Sequence, residues 1–346
     1  MRRQLVSVIV VNYNGGDVLQ DCLDSLSKIK YPNWELIVVD NGSTDGSPAL
    51  VSNFRSPGVK VKIIKNKTNV GFAGANNQGY EAARGELILL LNNDTKVDPY
   101  LIAKLVDRIN KDSSLAVVQP KVKIMSDPAI LDSAGSFLTA TGFLEHWGYL
   151  SKDGKEFDRE KYIFSAKGAC MLIRKEVIDK VGLFDSDYGS YMEETDFCWR
   201  VWLAGYKILY YPETFILHKV GFTSKRQNQV TVNYHSFKNR IATLIKNLSF
   251  GSLFSVFLPH IVLVAGLCVY YFLTLRFSQS AMVFNAVIWN VKNIGNTFAK
   301  RKKVQGEIRK VSDNEIFKYI KKPVDYKGMF SHFVRAEKML GGKHSV

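Results

Sequence analysis

The stretch Leu89-Leu90-Leu91-Asn92-Asn93-Asp94-Thr95 decides how the chain folds. An apolar run from Leu87 to Leu91 stops abruptly at two amides and a carboxylate, and Asp98-Pro99 just beyond can open a helix. A short, continuous apolar run of this kind predicts a strand buried on both faces of a parallel sheet. The carboxyl ends of such strands line the crevice where open α/β sheets bind ligands. A carboxylate there, flanked by amides, suits a hard divalent cation that is itself holding a diphosphate. An ordinary turn with a helix N-cap uses the same residue types, so the motif has to be weighed with its surroundings.

Outward from this point, residues 1–120 alternate between two periodicities. Strand-like runs fall at 5–11, 35–40, 59–64, 86–91 and 115–118, with helical patterns between them at about 17–29, 45–54, 73–83 and 99–109. That alternation predicts βαβ units and a mostly parallel sheet flanked by helices. Residues 121–165 are rich in Gly, Ser, Asp and aromatics and show no clear period. Short elements return afterwards: a strand at 168–173, helices at 174–180 and 193–204, and a strand at 207–211.

The 346 residues carry a formal charge of +15, unevenly placed. Residues 241–346 hold sixteen Lys and Arg against five acids, so +11 of the total sits there. Within that part, 253–275 is almost purely apolar and long enough to cross a hydrocarbon layer of ~30 Å. A weaker apolar segment, 281–291, follows, and then Lys300-Arg301-Lys302-Lys303. Cations flank the main span on both sides, so the positive-inside rule gives no orientation. A membrane hairpin, or interfacial helices beside anionic lipid, is preferred over a single crossing. The expected organisation is a catalytic domain at 1–245, membrane-associated or transmembrane segments at 246–298, and a basic tail at 299–346. The four cysteines are widely spaced with no Cys-x-x-Cys, which argues against a structural zinc site and for a reducing compartment. No secretory signal is read at the amino terminus, and the four Asn-x-Ser/Thr sequons, at Asn41, Asn66, Asn93 and Asn247, read as accidental. The expected location is therefore the cytoplasmic face of the cell membrane. The cationic tail adjoins a hydrophobic span rather than an aromatic-interleaved platform, which points to membrane lipids and away from nucleic acid.

Polar motifs gather where the predicted strands end. Val11-Asn12-Tyr13-Asn14-Gly15 closes the first strand, and Val38-Val39-Asp40-Asn41-Gly42-Ser43 closes the second. Asp40 can accept hydrogen bonds from a nucleobase imide or a ribose. Asn69-Val70-Gly71-Phe72-Ala73-Gly74-Ala75-Asn76-Asn77 opens a helix whose backbone amides could face an anion. No Lys follows its glycines and the three-glycine dinucleotide spacing is missing, which weighs against a nucleoside triphosphatase or a dehydrogenase. Glu193-Glu194-Thr195-Asp196 crowds three carboxylates into the first turn of a helix. Acids complement a helix dipole there, and one Glu could equally be a general base with Asp196 and Arg200 organising the helix end. The dipole lowers a carboxyl pKa while like charges raise it, so the sequence leaves the value open. His218 ends a short apolar run, as a structural hydrogen-bonder or as a ligand completing a metal shell with Asp94.

These five motifs occur in the order seen in glycosyltransferase family 2, which the chain resembles over roughly residues 5–245, looking most like rhamnosyltransferase-like members. The resemblance implies a GT-A fold, which is α/β and Rossmann-like, and an inverting transfer from a nucleotide-diphosphate sugar with Mg²⁺ or Mn²⁺. It implies Asp94 and His218 on the metal, and Asp40 on the base or ribose, with Asn12, Gly71, Asn76 and Asn92 as further donor contacts. Asn92 stands where the family's Asp-x-Asp motif often begins with Asp. Glu194 matches the catalytic base, with Glu193 as its rival, and Gly168-Ala169-Cys170 aligns with a loop near the acceptor. The expected partners are a nucleotide-diphosphate sugar donor and a glycan or lipid-linked acceptor, as in cell-envelope polysaccharide assembly. A polyprenyl-phosphate glycosyltransferase and a non-catalytic membrane-associated binding protein are the competing readings.

Overall fold

The structure is a computed structural model that describes residues 3–220 and 228–323. Its amino-terminal half alternates β1 (Val6–Asn12), α1 (Gly16–Leu26), β2 (Trp34–Asp40), α2 (Pro48–Asn53), β3 (Lys60–Lys65), α3 (Gly71–Ala82) and β4 (Leu87–Asn92). Strands β1 to β4 lie side by side in the order β4-β1-β2-β3, all parallel. In β4, Ile88 and Leu90 join the apolar layer on one side of the sheet, while Leu87, Leu89 and Leu91 join the layer on the other. All five are at most 2% exposed, which is why the run carries no alternation. Strand β3 lies at the sheet edge, where Lys60, Lys62 and Lys65 discourage pairing with another chain.

The sheet continues past β4 through elements the sequence does not announce. After β5 (Thr95–Val97) and α4 (Leu101–Asn110) come β6 (Leu115–Ile124), β7 (Asp127–Ser133), β8 (Ser136–Thr139), β9 (Leu144–His146) and β10 (Lys161–Tyr162). Then follow β11 (Cys170–Arg174), α5 (Lys175–Val181), α6 (Glu193–Leu203) and β12 (Lys207–His218). Strand β11 lies antiparallel between β4 and β6, and β12 runs parallel to β6. Strand β12 extends beyond the expected 207–211 because a bulge between Tyr211 and Phe215 accommodates Pro212. The extension decides the site: His218 pairs with Thr95 across β12 and β5, next to Asp94.

The chain then forms α7 (Gln229–Asn247), α8 (Phe250–Ser252), α9 (Leu258–Leu273), α10 (Phe277–Lys292), α11 (Ile294–Lys303), α12 (Asp313–Ile320) and β13 (Lys321–Lys322). A π-helical turn at Leu253–Phe257 joins α8 to α9 in one helix, Phe250–Leu273. Residues from 299 onward were expected to be a basic tail, yet 299–322 belong to the packed fold. Val304, Ile308, Ile316 and Ile320 are buried in the same apolar layer as Phe197 and Trp202 of α6. Several of the cations that suggest a tail are engaged: Lys300 pairs with Asp185 and Asp187 at 2.5 Å each, and Arg301 donates to the carbonyls of Ile245 and Leu248 at 2.5 and 2.6 Å. Strand β13 even pairs with β8. The rest of the expected tail, 324–346, lies outside the described residues.

Candidate active site

The ends of β1, β2 and β4 are tied together by Asn12, which is fully buried. Its Nδ2 donates to Asp40 Oδ1 (3.0 Å), Ser43 Oγ (3.1 Å) and Ser47 Oγ (2.8 Å), and its Oδ1 accepts from Asn93 Nδ2 (2.9 Å). The Asn12 amide is thus engaged inside the protein, where it orients the Asp40 carboxylate. Gly15 has to be glycine for the same reason, since a Cβ would sit 2.2 Å from Asn12 Oδ1.

Asn41, one residue past Asp40, organises the glycine-rich loop. Its Oδ1 accepts from the Val70 amide (3.0 Å), and its Nδ2 donates to Asn69 Oδ1 (2.8 Å), which in turn accepts from the Gly71 amide (2.8 Å). The amides of Val70 and Gly71 therefore point at side chains of the protein. Gly71, at φ +80°, comes so close to the loop before α6 that a Cβ would lie 2.9 Å from the Gly189 carbonyl oxygen. The Ala73 amide donates to that same oxygen at 2.9 Å, and buried Asn76 donates to the Phe72 carbonyl at 2.9 Å. The glycine-rich segment here docks one half of the site onto the other.

At the end of β4 the hydrogen bonding is incomplete. Asn92 Oδ1 and Asp94 Oδ1 are both buried and have no hydrogen-bond donor. Such orphaned acceptors are rare in folded proteins and mark a place for a ligand or ion. His218 Nε2 stands 3.3 Å from Asp94 Oδ1, an ion-pair distance without hydrogen-bond alignment. The other ring nitrogen, Nδ1, bonds Asp132 Oδ2 at 2.7 Å, and Lys167 Nζ reaches the same oxygen at 2.7 Å. Burial alone would lower the His218 pKa, but Asp132 and Asp94 on either side raise it to about 9. The Asp132 carboxyl, despite its burial, is held down to about 2 by His218 and Lys167. Carboxylate, imidazole and an outer carboxylate in a line fit a divalent cation, with Asp132 fixing the ring so that Nε2 faces the ion. Among the described residues no cluster of three His, Cys, Asp or Glu side chains is set for a metal, so these two ligands would leave further positions for donor oxygens and water.

Glu193 and Glu194 open α6 directly after two left-handed residues, Tyr191 and Met192, each at φ 70°. Non-glycine residues in that region store strain and persist only when held. Asn239 of α7 holds them, donating from Nδ2 to the carbonyls of Tyr191 (2.7 Å), Ser190 (3.0 Å) and Tyr188 (3.1 Å). Behind the turn, Asp196 is bound by Arg200 (3.0 Å), Lys246 (3.0 Å) and Asn247 (2.8 Å), while Arg200 also caps the carbonyls of Val181, Gly182 and Leu183. Asp196 and Arg200 thus anchor the helix end. The two glutamates keep Oε2 atoms without hydrogen bonds. Burial dominates over the helix dipole: it raises Glu194, and it raises Glu193 further with the added repulsion of Glu194. Glu193 is buried and Glu194 half-buried. The Lys167 charge acts on Glu194 as well as on Asp132, and so links the helix to the strand end.

Asp132, Lys167, Asn41 and Asn239 were not identified from the sequence. Asp132 lies in the stretch without periodicity, and its contact with His218 spans 86 positions.

The α/β sheet brings together at its strand ends an amide-held aspartate, two orphaned acceptors, a histidine between carboxylates and a strained acidic helix start. The profile of glycosyl transferase family 2 matches residues 7–182, and the chain belongs to that family. Glu193, Glu194 and His218 lie beyond the matched range, so their placement rests on the geometry above. The chain is 25% identical over 207 residues to the poly-β-1,6-N-acetyl-D-glucosamine synthase of Staphylococcus epidermidis, a match covering 60% of this chain and 48% of the relative. It is 28% identical over 222 residues to the O-antigen biosynthesis protein RfbC of Myxococcus xanthus, covering 62% of this chain and 17% of the relative. The chain spans about half or less of the length of these curated relatives. Among solved structures, residues 1–349 of S. aureus TarS with UDP-GlcNAc superpose at a TM-score of 0.55 and 16% identity, covering 87% of this chain and 86% of TarS 1–349. The mannosyltransferase PcManGT of Pyrobaculum calidifontis, with GDP-Man and Mn²⁺, superposes at 0.52 and 18%, covering 84% and 88%. The fold is GT-A.

Proposed function

We propose that the protein transfers a hexose, with inversion, from a nucleotide-diphosphate sugar to a hydroxyl of a lipid-linked glycan at the cytoplasmic face of the cell membrane. The observation that carries this reading is the set of acceptor atoms left without donors at the sheet edge and the nearby helix start: Asn92 Oδ1, Asp94 Oδ1 and Glu194 Oε2. Asp40, held by Asn12, receives the base or ribose, and Asn92 contacts the donor. Asp94 and His218 would hold Mg²⁺ or Mn²⁺, and such an ion would supply positive charge beside the donor diphosphate. Glu194 takes the proton of the acceptor hydroxyl as that oxygen attacks the anomeric carbon from the face opposite the diphosphate. Two adjacent buried carboxyls do not both ionise readily. Glu193, the more buried and more strongly raised, keeps its proton, which leaves Glu194 free to act as the base.

PcManGT with GDP-Man and Mn²⁺, and TarS with UDP-GlcNAc, support a nucleotide sugar and a divalent ion as ligands of this fold. The motif resemblance favours a rhamnosyl donor, whereas the S. epidermidis synthase and the TarS complex are named for N-acetylglucosamine and PcManGT for mannose, so a donor screen includes all three. In the test, Glu194→Gln abolishes sugar transfer while the thermal shift produced by donor and Mn²⁺ persists. Transfer at the unmodified rate by purified Glu194→Gln would refute the assignment of the base.

A further inference from the structure

The exposed apolar side chains concentrate on one part of the molecule. Phe250, Phe254, Leu258 and Val262 recur every four residues along the helix Phe250–Leu273 and are between 56% and 74% exposed. Such spacing places them in one stripe. Phe284 and Val291 extend the apolar surface onto α10, and Ile294 and Phe298 onto α11. So many exposed large apolar side chains on helices that pack against one another are foreign to a surface facing only water.

The inner sides of the same helices are fastened to the catalytic domain. His260 Nδ1 bonds the Thr141 carbonyl at 2.9 Å and its ring lies 4.5 Å from that of Phe143. Asn290 donates to the Lys238 carbonyl at 2.9 Å, and the Lys238 ammonium stands 4.5 Å above the Trp289 ring. The helix Phe250–Leu273 is long enough to cross a bilayer. In this packing a crossing would carry α7, with Lys238, Arg240 and Lys246, into hydrocarbon, which is expensive. Helices α9 and α10 pack against α7 through Val264, Tyr271 and Val283.

Charge indicates what covers the patch. From Thr214 to Gly306 the chain runs 93 residues with twelve Lys and Arg and not one Asp or Glu. Lys292 and Lys302 are exposed and have no acidic partner among the described residues. Lys302 follows Ile294 and Phe298 at four-residue intervals, so a cation ends an apolar stripe. A second copy of this cationic face would repel the first, whereas an anionic lipid surface attracts it.

We propose that the outer face of α8 to α11 docks in the plane of an anionic phospholipid leaflet, with the apolar stripe at the acyl boundary and Lys292 and Lys302 on the headgroup phosphates. The inference explains how the proposed enzyme would reach a lipid-held acceptor, but its test uses neither donor nor acceptor, so it stands or falls apart from the transfer reading.

The experiment is cosedimentation of the full chain with vesicles of phosphatidylcholine alone or mixed equally with phosphatidylglycerol. Binding is expected to the anionic vesicles, to weaken in high salt, and to be released by alkaline carbonate. Lys292→Ala with Lys302→Ala should weaken it about 25-fold, at roughly 5-fold per cation. Phe254→Glu with Val262→Glu should abolish it, and both positions are exposed, so the thermal midpoint should stay near that of the unmodified chain. Unchanged binding by both double variants overturns the proposal. Carbonate-resistant insertion overturns it in favour of a crossing helix. A solution dimer that Phe254→Glu with Val262→Glu dissociates, with vesicle binding retained, overturns it in favour of a second copy.

Discussion

Asp132→Asn separates the orientation of His218 from the charge behind it. The Asp132 carboxylate bonds His218 Nδ1 at 2.7 Å and Lys167 at 2.7 Å, while Asp94 stands 3.3 Å from Nε2. Burial lowers the histidine pKa, yet these carboxylates raise it from 6.5 to about 9. At 1.36 kcal/mol per unit, the charged ring gains about 3 kcal/mol from its surroundings. An amide oxygen at position 132 can still accept from Nδ1, so the ring keeps its direction and loses most of its electrostatic support. Outer carboxylates of this kind are worth about 10–100-fold in metal affinity, or about 1.4–2.7 kcal/mol. The expected outcome is a 10–100-fold weaker activation constant for Mn²⁺, read from donor consumption against Mn²⁺ concentration. The metal-free protein should also lose stability with a defined pH profile. The raised His218 pKa contributes stability that is complete below about pH 6.5 and lost as pH rises through about 9. The lowered Asp132 pKa contributes stability present above about pH 3.8 and lost as pH falls through about 2. The deficit of Asp132→Asn in denaturant unfolding should therefore be largest between about pH 4 and 6.5 and shrink toward pH 9. An unchanged Mn²⁺ constant in a folded Asp132→Asn protein would refute the role given to this carboxylate.

Other consequences follow from the helix start and the glycine-rich loop. Asn239→Ala removes the donors to three carbonyls around the left-handed pair, so it should cost about 2 kcal/mol in unfolding free energy and lower kcat while leaving the donor KM nearly unchanged. Glu193→Gln should raise the melting temperature. The folded pKa of Glu193 is raised, so its carboxyl loses stability as pH climbs above the ordinary value of 4.5, and the gain from Gln should grow from pH 5 toward pH 8. Activity should survive Glu193→Gln, and an acid-limb pKa in kcat/KM should lie above the ordinary glutamate value, as burial of Glu194 requires. Gly71→Ala should destabilise the fold by about 1–3 kcal/mol, because φ is +80° and the new Cβ would meet the Gly189 oxygen at 2.9 Å; calorimetry showing no loss would contradict that packing.

How much of this could be read beforehand depended on whether a feature is local. The strands β1 to β4 are continuous apolar runs that end in Asn and Asp, and their order and polar ends are visible in the sequence. Strand β12 was cut short at Pro212, since only its partner strands reveal that a bulge carries it on to His218. Asp132 belongs to a strand without alternation, and nothing near it announces a histidine 86 positions away. The hydrophobicity of 253–275 was visible, but which face meets the catalytic domain is decided by residues such as Thr141 and Phe143, more than a hundred positions earlier. The buried pairs Val304 with Ile308 and Ile316 with Ile320 are each spaced by four residues on successive helical segments, too short a repeat to stand out beside the neighbouring Lys300–Lys303 run.

The most direct test of the account is Mn²⁺-dependent release of nucleoside diphosphate from a panel of nucleotide sugars, including UDP-GlcNAc and dTDP-rhamnose, by the full chain and by Asp94→Asn. The account predicts that the unmodified chain consumes one donor class only with the ion present, and that Asp94→Asn loses this turnover while remaining folded. Turnover by Asp94→Asn equal to that of the unmodified chain at every Mn²⁺ concentration would contradict it.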